Sequence, residues 1–184
     1  MKRPPAPIAD AELMSARLAL SRFVQREADR TAGELGFGWR PAERAPADLE
    51  ELTAEFRACQ ASGLPLRVLR GFSENTIFDG EATNWAMRYL HDTRHVWLGA
   101  DFSTEAELLV ASCHLARARD AGLPVASLPY ALLLADTVGQ TLYVARTGRF
   151  VAHQLAFAVD CVRLEFDAAV RREVERSVVE GTAS

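Results

Sequence analysis

Met87-Arg88-Tyr89-Leu90-His91-Asp92-Thr93-Arg94-His95-Val96-Trp97-Leu98-Gly99-Ala100-Asp101-Phe102-Ser103-Thr104-Glu105-Ala106-Glu107 reads as one helix, a short turn and a second helix. Gly99 stops the first helix, and Thr104 opens the second. Asp101 marks the centre of the turn, with His95 six residues before it and Glu107 six after it. Residues equidistant from the turn of an antiparallel hairpin sit at one height, so His95 and Glu107 face each other. His91 and His95 are one helical turn apart and share a face, which Asp92 borders. The hairpin therefore gathers His91, Asp92, His95 and Glu107. Imidazoles and carboxylates in such a cluster suit zinc, and iron or manganese as alternatives. A competing reading pairs Asp92 with Arg88 or Arg94 and turns Glu107 back on Thr104 as a capping box.

Helical periodicity continues on both sides of this hairpin. Asp10 offers an N-cap for a helix to Leu35, with Leu13, Leu20 and Val24 on its apolar stripe. Residues 39–47 read as a Pro-containing connection. A second helix spans 48–61. Leu66–Arg70 is either a short strand or the lead-in to a third helix, which starts at Glu74 or Asp79 and ends at Leu98. A fourth helix covers 104–122 and a fifth 127–146. Phe150, Phe157 and Leu164 follow at seven-residue steps, predicting one long C-terminal helix over 150–180. Strand-type alternation is nearly absent. The expected fold is all-α, a single-domain bundle of five or six helices over residues 9–184, preceded by a disordered tail at 1–8.

Composition narrows the function classes. The 184 residues are 49% hydrophobic and 25% charged, as in an ordinary globular domain with a buried core. A net charge of −4 argues against nucleic-acid binding. Three scattered cysteines, Cys59, Cys113 and Cys161, form no disulfide framework and read as small buried apolar residues in a reducing compartment. Residues 1–7 lack the apolar core of a signal peptide. The most apolar stretch, Leu123–Ala135, is interrupted by Pro124 and Pro129 and is too short for a bilayer span. The expected location is cytoplasmic, with at most peripheral contact with a membrane. No His-Glu-x-x-His, no second Glu-x-x-His and no Gly-rich phosphate loop occurs.

The string His91-Asp92-x-x-His95, eleven residues, then Glu107 resembles the zinc-binding signature of the Coq-four family of ubiquinone (coenzyme Q) biosynthesis. Arg88-Tyr89 before it, Leu98-Gly99 after it and Ala121-Gly122-Leu123-Pro124 further on add to the likeness, which covers about residues 85–125. The chain departs from the family at Ala106, where Gly is usual, and in its turn, Ala100–Ser103. The resemblance implies a metal held by His91, Asp92, His95 and Glu107. It also implies a prenylated aromatic or quinone-type substrate, with ring decarboxylation and hydroxylation as the reaction. The expected partner is thus a hydrophobic small molecule, and homo-oligomerisation stays open. Two alternatives remain: a non-enzymatic interaction module with a structural metal, and a small metal-dependent hydrolase.

Five other positions bear on this site. Arg88 and Arg94 flank the ligands and can hold a carboxylate or phosphate. His114, two turns beyond Glu107, lines the site or packs as a buried helix residue. Asp136 and Gln140 interrupt an apolar run and form either an interhelical contact or the polar rim of an apolar channel lined by Leu132, Leu133 and Leu134. Asp92 decides the type of metal site: if it only orients a histidine, three ligands leave an open coordination position.

Overall fold

The computed structural model describes residues 7–181. Of the expected N-terminal tail, residues 1–6 lie outside the described residues. The chain then runs α1 (Asp10–Leu35), β1 (Trp39–Ala42), α2 (Leu49–Ser62), β2 (Leu66–Leu69), α3 (Glu81–Leu98) and α4 (Thr104–Asp120). It continues through α5 (Leu128–Leu134), a π-helical turn (Ala135–Gly139), α6 (Gln140–Thr147), α7 (Gln154–Arg163) and α8 (Phe166–Gly181). The all-α class holds, with one small sheet added.

Asp10 is the first residue of α1, not its cap, and the cap position falls to Ala9. The start of α2 is fixed by side chains. Asp48 accepts a hydrogen bond from the Glu51 amide at 2.9 Å, and Glu51 in turn accepts from the Ala47 amide at 3.1 Å. Asp48→Ala should cost about 1 kcal/mol of folding stability, measured by urea unfolding, because it removes this cap without touching the core.

Residues 39–42 are a strand, not part of a connection. They pair in parallel with Leu66–Leu69, and α2 forms the crossover. Leu66 and Val68 are buried beneath it. Arg67 grips Glu55 of α2 through two side-chain bonds of 2.7 and 2.9 Å. Two four-residue strands, one containing Pro41, carry too little alternation to stand out as sequence. Their role is to frame α3: Trp39 stacks on Tyr89 at 4.9 Å between ring centroids, and the Tyr89 hydroxyl donates to the Phe37 carbonyl at 2.9 Å.

α3 packs along α1, burying Ala86 and Leu90 near Leu20, Val24 and Ala28 in one continuous core. Arg117 ties α4 to α1 through Glu27 at 2.8 Å. Leu132 and Leu133 are fully buried in this core, and Leu134 is exposed, so these three do not line an apolar channel.

The predicted fifth helix contains a π-turn in its middle. The long C-terminal helix is also two helices: Leu164 is extended (φ −124°, ψ 167°), and α8 restarts at Phe166. Of the stripe, only Phe157 lies in a helix, and α8 folds back to pack against α7. Asp160 on α7 accepts from Arg172 at 2.9 Å and Arg176 at 2.7 Å, and Phe157 joins Tyr143, Val151, Ala169 and Val170 in a second apolar cluster. Phe150, expected on the stripe, is 88% exposed ahead of the helix. No helix among the described residues is long and apolar enough to cross a membrane.

Candidate metal centre

The hairpin of α3 and α4 builds the site. Gly99 adopts the left-handed conformation (φ 58°), which favours glycine. The closing turn sends the Ala100 amide to the His95 carbonyl at 3.0 Å. The same turn brings the Ala100 carbonyl to within 3.0 Å of His95 Nδ1. A carbonyl only accepts, so Nδ1 carries the proton and the neutral ring presents a bare Nε2 to the site. That is the arrangement by which a protein orients a histidine ligand. His95 is fully buried, and Phe102 from the turn meets its ring edge-on at 4.8 Å.

Three donors converge. His91 Nε2 and His95 Nε2 are 2.9 Å apart, Glu107 Oε2 is 3.2 Å from His91 Nε2, and Glu107 Oε1 is 3.5 Å from His95 Nε2. Zinc–nitrogen bonds of 2.0–2.1 Å at a tetrahedral angle place neighbouring donors about 3.3 Å apart. The three separations bracket that edge length, so shifts of a few tenths of an ångström suffice to seat an ion. Glu107 faces His95 across the hairpin as the spacing predicts. It does not turn back as a capping box. The cap of α4 is Ser103, whose hydroxyl accepts from the Ala106 amide at 3.4 Å.

The electrostatics follow from these contacts. Burial opposes ionisation of Glu107, but hydrogen bonds and charge from His91 and His95 outweigh it and hold its carboxyl at about 2. Burial also works against His95, yet the Glu107 and Ala100 contacts raise its pKa above the ordinary imidazole value. The cluster thus keeps an anionic oxygen beside two imidazole nitrogens, the donor chemistry of a zinc, iron or manganese site.

Asp92 does not join the three donors within the 4.8 Å that they share. One residue on from His91, it points about 100° away around the helix. Burial lifts its carboxyl to about 6, against the pull of His91, His95 and Arg88. His114 is buried and its ring stacks on His91, with centroids 5.8 Å apart and planes 16° apart. Burial, then the like charges of His91 and Arg94, holds it neutral. Its Nε2 has no hydrogen-bond partner among the described residues. His114 therefore backs His91 and stands outside the donor cluster.

The cluster opens on a cavity of about 480 Å³. His91 and Glu107 form one side. Arg88, Asp136 and Gln140 supply polar groups, and Met87, Phe102, Val144 and Phe150 supply apolar ones. Arg88 belongs to this cavity, where it donates to the carbonyls of Leu69 and Phe72. Arg94 does not: its guanidinium lies over Trp97 at 4.7 Å and borders a separate small cavity beside His114 and Arg117. His153 is not one of the converging donors and is bonded to Glu173. The signal for Asp136 was present in the sequence as a carboxylate within an apolar run. The π-turn that places it left no such trace. Comparison of the chain with protein-family models, curated proteins and solved structures returns no match.

Proposed function

We propose that the chain is a metal-dependent enzyme that holds a divalent ion, zinc first, through His91, His95 and Glu107 and acts on an organic substrate in the adjoining cavity. One observation carries this reading: three convergent donors leave the cluster open on the side of the cavity. Structural zinc sites close with four protein ligands, whereas catalytic ones keep a position free. A bound zinc supplies Lewis acidity at a carbonyl or phosphoryl oxygen, and iron in its place adds redox chemistry.

The chain's own residues divide the remaining work. The Ala100 carbonyl fixes the ring of His95, and His114 supports the ring of His91. Arg88 offers a guanidinium that forms no salt bridge among the described residues. Burial lowers its pKa, with Asp92, Asp136 and Glu74 acting against that shift. A volume of about 480 Å³ lies within the range of small-molecule sites. Its apolar and aromatic lining suits a ring, and the likeness to the Coq-four signature supports a quinone-type or prenylated aromatic substrate.

Organic extraction of the purified, metal-loaded protein tests this choice. The expected result is a quinone-type aromatic recovered from wild type and depleted from Val144→Trp, which narrows the cavity. Failure to retain or rebind a ubiquinone head group, with turnover of a generic ester or phosphoester instead, would assign the site to a hydrolase.

A further inference from the structure

Asp136 lies on the π-turn Ala135–Gly139, between two regular helices. A π-turn widens the helix by one residue, re-aims the side chains around it and occurs frequently at functional sites. Here it sets Asp136 into the wall of the cavity that also holds His91, Glu107 and Arg88. Gln140 steadies one carboxyl oxygen, donating to Oδ1 at 2.6 Å. The other oxygen, Oδ2, has no hydrogen bond or ion pair among the described residues. The nearby cation, Arg88 on α3, spends its bonds on the Leu69 and Phe72 carbonyls. Asp136 is not part of the donor cluster.

We propose that Asp136 is the proton donor of this cavity, a catalytic residue that touches the substrate and is distinct from the metal ligands. Its Oδ2–H gives a proton to the substrate atom that keeps the electron pair of the breaking bond. The carboxylate left behind is reprotonated by water. Burial supports the role by raising this carboxyl to about 7, against the opposing influence of Gln140, His91 and Arg88. Those are the groups that face it from its own helix and from α3, and Glu107 of α4 lines the same cavity. A group of that acidity is balanced between giving and taking a proton near neutral pH.

The assignment rests on the proposed function only in that a substrate occupies the cavity, and its test needs neither substrate nor metal. Metal-free and zinc-loaded protein are treated at neutral pH with two carboxyl reagents. One is a water-soluble carbodiimide with glycinamide. The other is 1,2-epoxy-3-(4-nitrophenoxy)propane, whose epoxide carbon the carboxyl oxygen attacks as the ring C–O bond opens and takes a proton. Adducts are mapped by mass spectrometry. Asp136, whose carboxyl is raised by burial, should label at least about tenfold faster than the exposed Asp29 and Glu50. Val144→Trp should slow its labelling by crowding the cavity, and Asp136→Asn should remove that adduct while metal content stays at the wild-type level. Labelling of Asp136 that is equal to or slower than that of Asp29 and Glu50 with both reagents, or that the crowded cavity of Val144→Trp does not slow, overturns the proposal. Metal analysis of the same samples keeps the two readings apart. Rapid labelling in a protein that takes up no metal overturns the metal reading alone, and metal uptake without rapid labelling overturns the role of Asp136 alone.

Discussion

Glu107→Gln is expected to weaken zinc binding by more than about 100-fold, because even residues that merely orient a ligand cost 10–100-fold when changed. Glu107 is the only carboxylate in the three-donor cluster, and the amide that replaces it keeps the size but loses the anion. A competition titration against a chelator of known affinity measures the change. The pH dependence has a defined sign. His95 has a raised pKa, so protons compete for its Nε2 up to a higher pH than for an ordinary imidazole. Zinc affinity should therefore fall as pH drops through and below the imidazole range, by roughly tenfold per pH unit for each proton displaced. In the metal-free protein, the raised pKa of His95 makes a stability contribution that is present at acid pH and lost as pH rises through that value. The depressed pKa of Glu107 contributes above the ordinary carboxylate value and is lost as pH falls towards about 2. An affinity that stays flat from neutral to mildly acidic pH, or is unchanged in Glu107→Gln, would detach this cluster from metal binding.

The second large effect is on folding. Glu173 of α8 is fully buried. Its Oε1 accepts from the amides of Ala152 and His153 at 3.0 and 2.9 Å, and its Oε2 accepts from Arg176 Nε at 3.0 Å. It joins α8 to the segment that carries Phe150 at the cavity. Glu173→Ala strands two backbone amides and leaves Arg176 with Asp160 as its one carboxylate partner among the described residues, and should destabilise the protein by about 3–5 kcal/mol. Arg172→Ala removes a half-exposed partner of Asp160 and should cost no more than about 1 kcal/mol. Urea unfolding of both variants checks the contrast. Equal losses would mean that the buried carboxylate is not the anchor of α8.

The hairpin was legible because its information is local. An i, i+4 histidine pair and equal distances from a turn translate directly into geometry, which is why His91, His95 and Glu107 were found together. Asp92 was drawn into the same set by its neighbours, although a step of one residue takes it off their face. Other features depend on contacts distant in sequence. The break at Leu164 lets Arg172 and Arg176 reach Asp160, and a local stripe of Phe150, Phe157 and Leu164 carries no sign of it. Trp39–Ala42 is a strand because Leu66–Leu69 lies beside it, and four residues with a proline hold no period of their own. The π-turn has no repeating pattern at all. It shifts the register of one apolar helix, and so converts Asp136 and Gln140 from an interruption of a stripe into part of a cavity wall.

Elemental analysis of purified wild-type protein beside His91→Ala tests the central claim most directly. The account predicts about one equivalent of zinc, iron or manganese in the wild type and none in the variant, with both chains folded by circular dichroism. A metal-free wild type that gains no thermal stability from any of the three ions would contradict it, leaving the cluster as two histidines sharing a proton beside a carboxylate.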